Sequence, residues 1–306
     1  MPLSPHVLPP PWTWQQRRQR AAELAEADPQ IAPALAFYAE VVSVQEALAR
    51  HAGNGNGPGA GLLETLQEAM RLSRDPAGGL PVGALPVHRF RLLLALAERQ
   101  GPEPLARAAR RLLGGGLETQ KTVLGRLVAT GAPGVLGVAA WDGAAGDGAV
   151  DPAEAMLARL FLEPFLEEAA ARLLRAHVPH HGPRGSWYAT SCPVCGAPPQ
   201  AGYLVDVEGG EGALFLHCSL CHSAWRYARM RCMLCGATGT LVQLQPEGAS
   251  HVRLDVCERC RGYLKVFDLR VDGRVVPPVD DLATVSLDLF ARGQGLSKPS
   301  VNLAGV

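Results

Sequence analysis

All eight cysteines of the chain lie between positions 192 and 260, and they come as four C-x-x-C pairs: Cys192/Cys195, Cys218/Cys221, Cys232/Cys235 and Cys257/Cys260. One such pair presents two sulfurs from a tight knuckle, and two knuckles complete the four thiolates that a tetrahedral ion such as zinc takes at about 2.3 Å. Four pairs therefore specify two four-cysteine sites. The competing chemistry of a C-x-x-C pair is dithiol–disulfide exchange, which a single pair at the start of a helix in a βαβ setting would favour. This chain has four pairs in hairpin-like surroundings, which points to metal.

The pairs also form an internal repeat. Twenty-two residues separate Cys195 from Cys218 and twenty-one separate Cys235 from Cys257, so two units of about 40 residues follow one another. Each unit opens with C-x-x-C-G-A and places an aromatic soon after its last cysteine, Trp225 in the first and Tyr263 in the second. The glycines, Gly196 and Gly236, relax the turn that aims backbone N–H groups at the sulfurs. "AGYLVDV", "ALFLH", "TLVQLQ" and "HVRLDV" read as strands between the pairs. A module this small cannot hold itself together by apolar burial, so a bound ion would supply much of its folding free energy. The sequential repeat favours sequential pairing of the knuckles and leaves interleaved pairing open. Four thiolates do not choose between iron and zinc: "CPVCG" is the knuckle of rubredoxin-type iron sites and fits zinc equally well. Neither site lacks a ligand, so both read as closed rather than catalytic.

Upstream, from about Trp12 to His177, the pattern is helical. "ALAFYAEVVSVQEALA" (34–49) carries Leu35, Tyr38, Val41, Val42, Val44 and Leu48 near one side, and further helices are expected near 62–73, 88–100, 103–113 and 117–130. The segment 152–178 is expected to be capped by Asp151 and broken or kinked at Pro164. "GNGNGPGAG" (53–61) reads as a flexible loop, and "HVPHHGPRGSWYATS" as a domain boundary whose His177, His180 and His181 read as solvated surface. Near the end, residues 280–292 fit one amphipathic helix that begins at Asp280 or Asp281, followed by a loose tail. The expected fold class is α+β: an all-α domain (1–185), two β-rich rubredoxin- or zinc-ribbon-like metal modules (186–228 and 229–272), and a C-terminal helix and tail (273–306).

Charge and targeting narrow the function. Lys plus Arg and Asp plus Glu stand at 29 each, and between Cys192 and Arg270 eight basic residues face seven acidic ones, so the basic footprint of a zinc-ribbon nucleic-acid binder is weak. "RYARMR" (226–231) is a local positive cluster that reads equally as a solvated linker. The N-terminus carries no signal-peptide-like apolar run, and the longest apolar window is interrupted by Arg159, Glu163, Glu167, Glu168, Arg172 and Arg175. A cytoplasmic, reducing location is expected, where thiols hold metal more often than they form structural disulfides. No Ser/His/Asp, P-loop or dinucleotide motif is present, so the chain reads as a non-enzyme.

"CPVCGAPP", "LHCSLCHSAW", "RMRCMLCG", "CERCRGYLKVFD" and "DDLATVSLDL", in this order and spacing, resemble the C-terminal region of the formate dehydrogenase accessory proteins, FdhE. "FYAEVVSVQEAL" resembles a helical segment of the same family that ends in a characteristic glutamine, here Gln45. The resemblance implies a cytoplasmic maturation factor that acts on the formate dehydrogenase catalytic subunit before its twin-arginine export. It also implies metal held by all eight cysteines, with rubredoxin-type iron as well as zinc-like folds in the family, and two metal ions per chain. An electron-transfer role for bound iron is the alternative. A client-facing role is implied, with less support, for Trp225, Tyr263, Lys265, Asp280 and Asp281, whose ordinary readings are a cover over the metal core for the aromatics and a helix start for the aspartates.

Overall fold

The computed structural model describes residues 7–53, 64, 85–129, 151–176, 190–207 and 212–305. The expected helix at 62–73 apart from residue 64, most of the loop at 53–61 and the histidines at 177–181 lie outside the described residues. The fold is α+β, as expected: helices first, then a mixed sheet carrying both cysteine clusters, then short helices.

Helix α1 (Trp14–Ala27) starts at Thr13, whose hydroxyl accepts from the Gln16 amide while the Gln16 side chain accepts from the Thr13 amide. Helix α2 (Ala32–Gly53) packs beside it and buries Leu35, Val41, Val42 and Leu48. A 3-10 turn at Val87–Arg89 leads into α3 (Phe90–Gln100), then α4 (Glu103–Gly114) and α5 (Gly116–Ala129). Each buries one apolar stripe against α6 (Pro152–Ala176), which is buried along most of its length and runs through the middle of the helical half. Asp151 caps α6 by accepting from the amides of Ala153 and Glu154. Among the described residues, no helix is long and apolar enough to cross a membrane.

Pro164 does not break α6, which rules out the first of the two expected outcomes, a break or a kink. Proline has no N–H to give the carbonyl of Leu160, four residues back, and an unpaired carbonyl in this core would be costly. Gln45 of α2 resolves the defect: its side-chain amide donates to Leu160 O at 2.8 Å and to Glu163 Oε2 at 2.9 Å. The two residues are thus coupled. Gln45→Ala is expected to cost about 1–3 kcal/mol, and less when Pro164→Ala restores the donor; chemical denaturation of the four-member cycle measures the difference.

Among the described residues, the strands form one continuous seven-stranded sheet in the order β1-β4-β3-β2-β7-β6-β5. Its strands are β1 (Val7–Leu8), β2 (Pro199–Asp206), β3 (Gly212–Cys218), β4 (Ala224–Tyr227), β5 (Leu241–Leu244), β6 (Val252–Cys257) and β7 (Tyr263–Asp268). Each repeat unit contributes an antiparallel three-stranded meander, β2-β3-β4 or β5-β6-β7. The units are joined by parallel pairing of β2 with β7, in the register Gly202↔Val266 to Leu204↔Asp268. Gly202 permits this: an added Cβ would meet Leu214 and Val266 at 3.2 Å. β1, from the start of the chain, covers the outer edge of β4.

The single helix expected at 280–292 is two, α7 (Pro277–Ala283) and α8 (Val285–Gly293), which part at Thr284. The tail after it is tied down rather than loose. Ser297 exchanges backbone bonds with Tyr263 and Arg261, and Lys298, Ser300, Val301 and Asn302 are buried.

Candidate metal centres

Four knuckles of one design carry the cysteines. In each, the amide of the first cysteine donates to the carbonyl five residues on: Cys192 to Ala197, Cys218 to Ser223, Cys232 to Ala237 and Cys257 to Gly262, at 2.7–2.9 Å. The residue after the second cysteine takes a left-handed backbone, with φ of 75° at Gly196, 56° at His222, 70° at Gly236 and 59° at Arg261. Glycine adopts this conformation freely, whereas a side chain costs about 1–2 kcal/mol there. The first knuckle of each unit shows the requirement in its sequence and the second knuckle hides it. Gly262 serves close approach instead, since a Cβ there would overlap Leu234 and come within 3.2 Å of Cys260 Sγ.

These turns bring the sulfurs together in sequential sets, Cys192/Cys195/Cys218/Cys221 and Cys232/Cys235/Cys257/Cys260, with the ligand atoms of each set within 4.8 Å of one another. Cys192 and Cys221 sulfurs are 3.7 Å apart and Cys195 and Cys218 3.4 Å; in the second set, Cys232–Cys260 and Cys235–Cys257 are both 3.8 Å. Backbone amides aim at the sulfurs, Val194 to Cys192, Leu220 and Cys221 to Cys218, and Leu234 and Cys235 to Cys232. Ser223 and Thr240 hydroxyls approach Cys221 and Cys257.

The thiol chemistry of this arrangement favours a cation at its centre. Burial pushes the Cys192 thiol well above its ordinary range, and the three neighbouring sulfurs do the same to Cys195, while bonds from the other cysteines outweigh burial and hold Cys218 well below it. The second set behaves alike: Cys257, despite burial, is held at about 6 by Thr240 and nearby amides, while burial and its neighbours push Cys260 to about 12. Without a positive charge, one thiolate discourages the others. A divalent ion reverses that balance and lets all four ionise. The donor set therefore fits a soft, tetrahedral metal ion, and two four-cysteine clusters that can bind metal are present.

Residues 191–229 match the FdhE central domain and residues 230–304 the FdhE C-terminal domain, which together contain every cysteine. Over residues 191–304 the chain is similar to the FdhE family. It is 36% identical over 147 residues to the FdhE homologue of Aquifex aeolicus, spanning 47% of this chain and 50% of that one. It is 39% identical over 117 residues to the homologue of Stutzerimonas stutzeri, spanning 37% and 38%. These matches thus span half or less of the curated relatives. The crystal structure of the FdhE protein from Pseudomonas aeruginosa aligns over 98% of both chains with a TM-score of 0.68 and 25% identity.

The five residues with an implied client-facing role turn inward: Trp225, Tyr263, Lys265 and Asp281 are 0% exposed and Asp280 is 2% exposed. Tyr263 and Lys265 instead join a buried network. Lys265 Nζ reaches Asp281 and Asp288 at 2.8 and 2.6 Å, Lys298 Nζ reaches the same carboxylates at 2.6 and 3.2 Å, and the Tyr263 hydroxyl donates to Asp288 at 2.8 Å. This network fastens α7, α8 and the tail to β7.

A second polar cluster holds the helical half on the first cysteine cluster. Arg17 grips Glu167 through two bonds of 2.9 and 2.6 Å, and Arg20 pairs with Asp280 at 2.7 Å. Arg159 donates to Glu163, to Val301 O and, at 2.8 Å, to Ser219 O, inside the Cys218 knuckle. His222 lies 3.9 Å from both Glu163 and Glu167, beside a cavity of about 30 Å³, room for little more than water. The sequence signal for this cluster is Arg159, Glu163 and Glu167 at i, i+4 spacing, where they share a face.

Proposed function

We propose that this chain is an accessory factor for respiratory formate dehydrogenase. In this reading each four-cysteine cluster holds one metal ion, iron or zinc, through Cys192, Cys195, Cys218 and Cys221 or through Cys232, Cys235, Cys257 and Cys260. Both ions have structural roles, with no coordination position left for substrate. The helical half is the scaffold, the fused metal modules are the surface, and the client is the immature catalytic subunit, held in the cytoplasm without catalysis. The observation that carries the proposal is the coincidence of the FdhE central and C-terminal domains with the two sulfur clusters. Support also comes from the ion pairs that lock α1 to α6 and to α7, and from Arg159 of α6 on the Ser219 carbonyl, since a surface assembled this rigidly loses little entropy on binding.

A pull-down tests it. The full chain in reducing, metal-replete buffer is expected to retain a formate dehydrogenase catalytic subunit, and to lose it when a chelator strips the metal. Failure of the intact, metal-replete chain to bind counts against the reading.

A further inference from the structure

The two clusters repeat one design in different surroundings. In the first, Cys192, Cys195, Cys218 and Cys221 are 0–5% exposed and belong to the same apolar core as α6. Arg159 pins its second knuckle from the helical side through Ser219 O. In the second, Cys235 is exposed and Cys260 is partly exposed, while Cys232 and Cys257 are buried. The covering strands differ in the same sense. β3 is buried over nearly its whole length, whereas β5 is the free edge of the sheet and exposes Val242, Gln243 and Leu244. The turn between Cys235 and β5 is exposed at Thr238 and Gly239.

Exchange of a tightly held ion needs an incoming ligand to reach the metal, or a ligand arm to swing away. In the second cluster both routes pass through an exposed turn, and local opening there disturbs few buried contacts. In the first, either route requires parting the sheet from α6.

We infer that the second cluster is an exchangeable site for a soft divalent metal, open to thiol and nitrogen chelators and to thiol-modifying reagents, while the first is locked. The inference rests on the reading that both clusters hold metal, and it assigns the chemically addressable position to Cys235 and Cys260. Bond counts do not explain the difference, because the sulfur hydrogen bonds of the two sets are similar; access does.

The test uses the full chain loaded with zinc. Total metal is measured first, then release to 4-(2-pyridylazo)resorcinol is followed by absorbance, with parallel N-ethylmaleimide labelling and peptide mass mapping. The expected result is one equivalent released at least about tenfold faster than the other, with label on Cys235 and Cys260 before any on the first cluster. Cys235→Ser is expected to remove the fast phase and leave the slow one intact. Release of both equivalents in a single phase, or first labelling at Cys192, Cys195, Cys218 or Cys221, overturns the inference and leaves the metal reading standing. A single bound equivalent supports it if the second cluster is the one labelled and overturns it if the first is. A chain that takes up no zinc overturns both.

Discussion

Cys218→Ser is expected to remove the metal of the first cluster and, with it, the folding of the region around that cluster. An ion in a four-thiolate site contributes on the order of 10–16 kcal/mol of apparent binding free energy at neutral pH, as much as the whole stability of an ordinary domain. Cys218 is also the thiol best disposed to ionise in its set, accepting from the Leu220 and Cys221 amides, and it is fully buried. A serine oxygen there binds a soft metal poorly, and without the metal it leaves three thiols facing one another in the core. Metal content is expected to fall to one ion per chain, with loss of the cooperative thermal transition or a steep fall in its midpoint. Cys260→Ser, at the partly exposed cluster, is expected to lose its ion with a smaller effect on the helical half. Equal metal content and an unchanged melt in Cys218→Ser would show that the cluster is no metal site.

Asp281→Ala should be the most damaging change away from the cysteines, costing about 3–5 kcal/mol, because it leaves two buried ammonium groups sharing Asp288 alone. The effect should be coupled: removing Lys298 as well, by Lys298→Met, is expected to cost less than the sum of the two single changes, since it withdraws the charge left unpaired. Acid titration gives an independent reading. Burial alone would raise the Asp281 carboxyl, but Lys265 and Lys298 outweigh it and hold it at about 2, below its ordinary 3.8. A carboxylate lowered on folding stabilises the native state in full above its unfolded pKa, and that stability is lost as pH falls through the folded value. The wild-type chain should therefore lose stability between about pH 4 and pH 2, and Asp281→Asn should lack that part of the acid limb. Chemical denaturation across this range checks both statements.

The cysteine half was legible because four-sulfur clustering is written in spacing: a C-x-x-C knuckle is local, and its repetition gives the number of clusters and favours the sequential membership that the fold then shows. Local signals stop there. His222 and Arg261 take the left-handed turn without a glycine to announce it, held there by the knuckle's own backbone bonds. The parallel pairing of β2 with β7 joins segments some 60 residues apart, and only the fold makes them neighbours. Pro164 reads as a helix breaker because its compensation, Gln45, lies 115 residues in sequence from the Leu160 carbonyl it satisfies. Charges mislead in the same way. Arg17, Glu167, Lys265 and Asp281 look solvated one at a time, and their burial makes sense only once their partners are in place.

The central claim, that each cluster holds one metal ion, is tested most directly by metal analysis of the full chain purified anaerobically, with its absorption spectrum. The expected result is two ions per chain, matching the two four-sulfur clusters, with iron giving visible thiolate-to-metal absorption and zinc a colourless protein. Eight titratable free thiols in a folded chain without metal would contradict it.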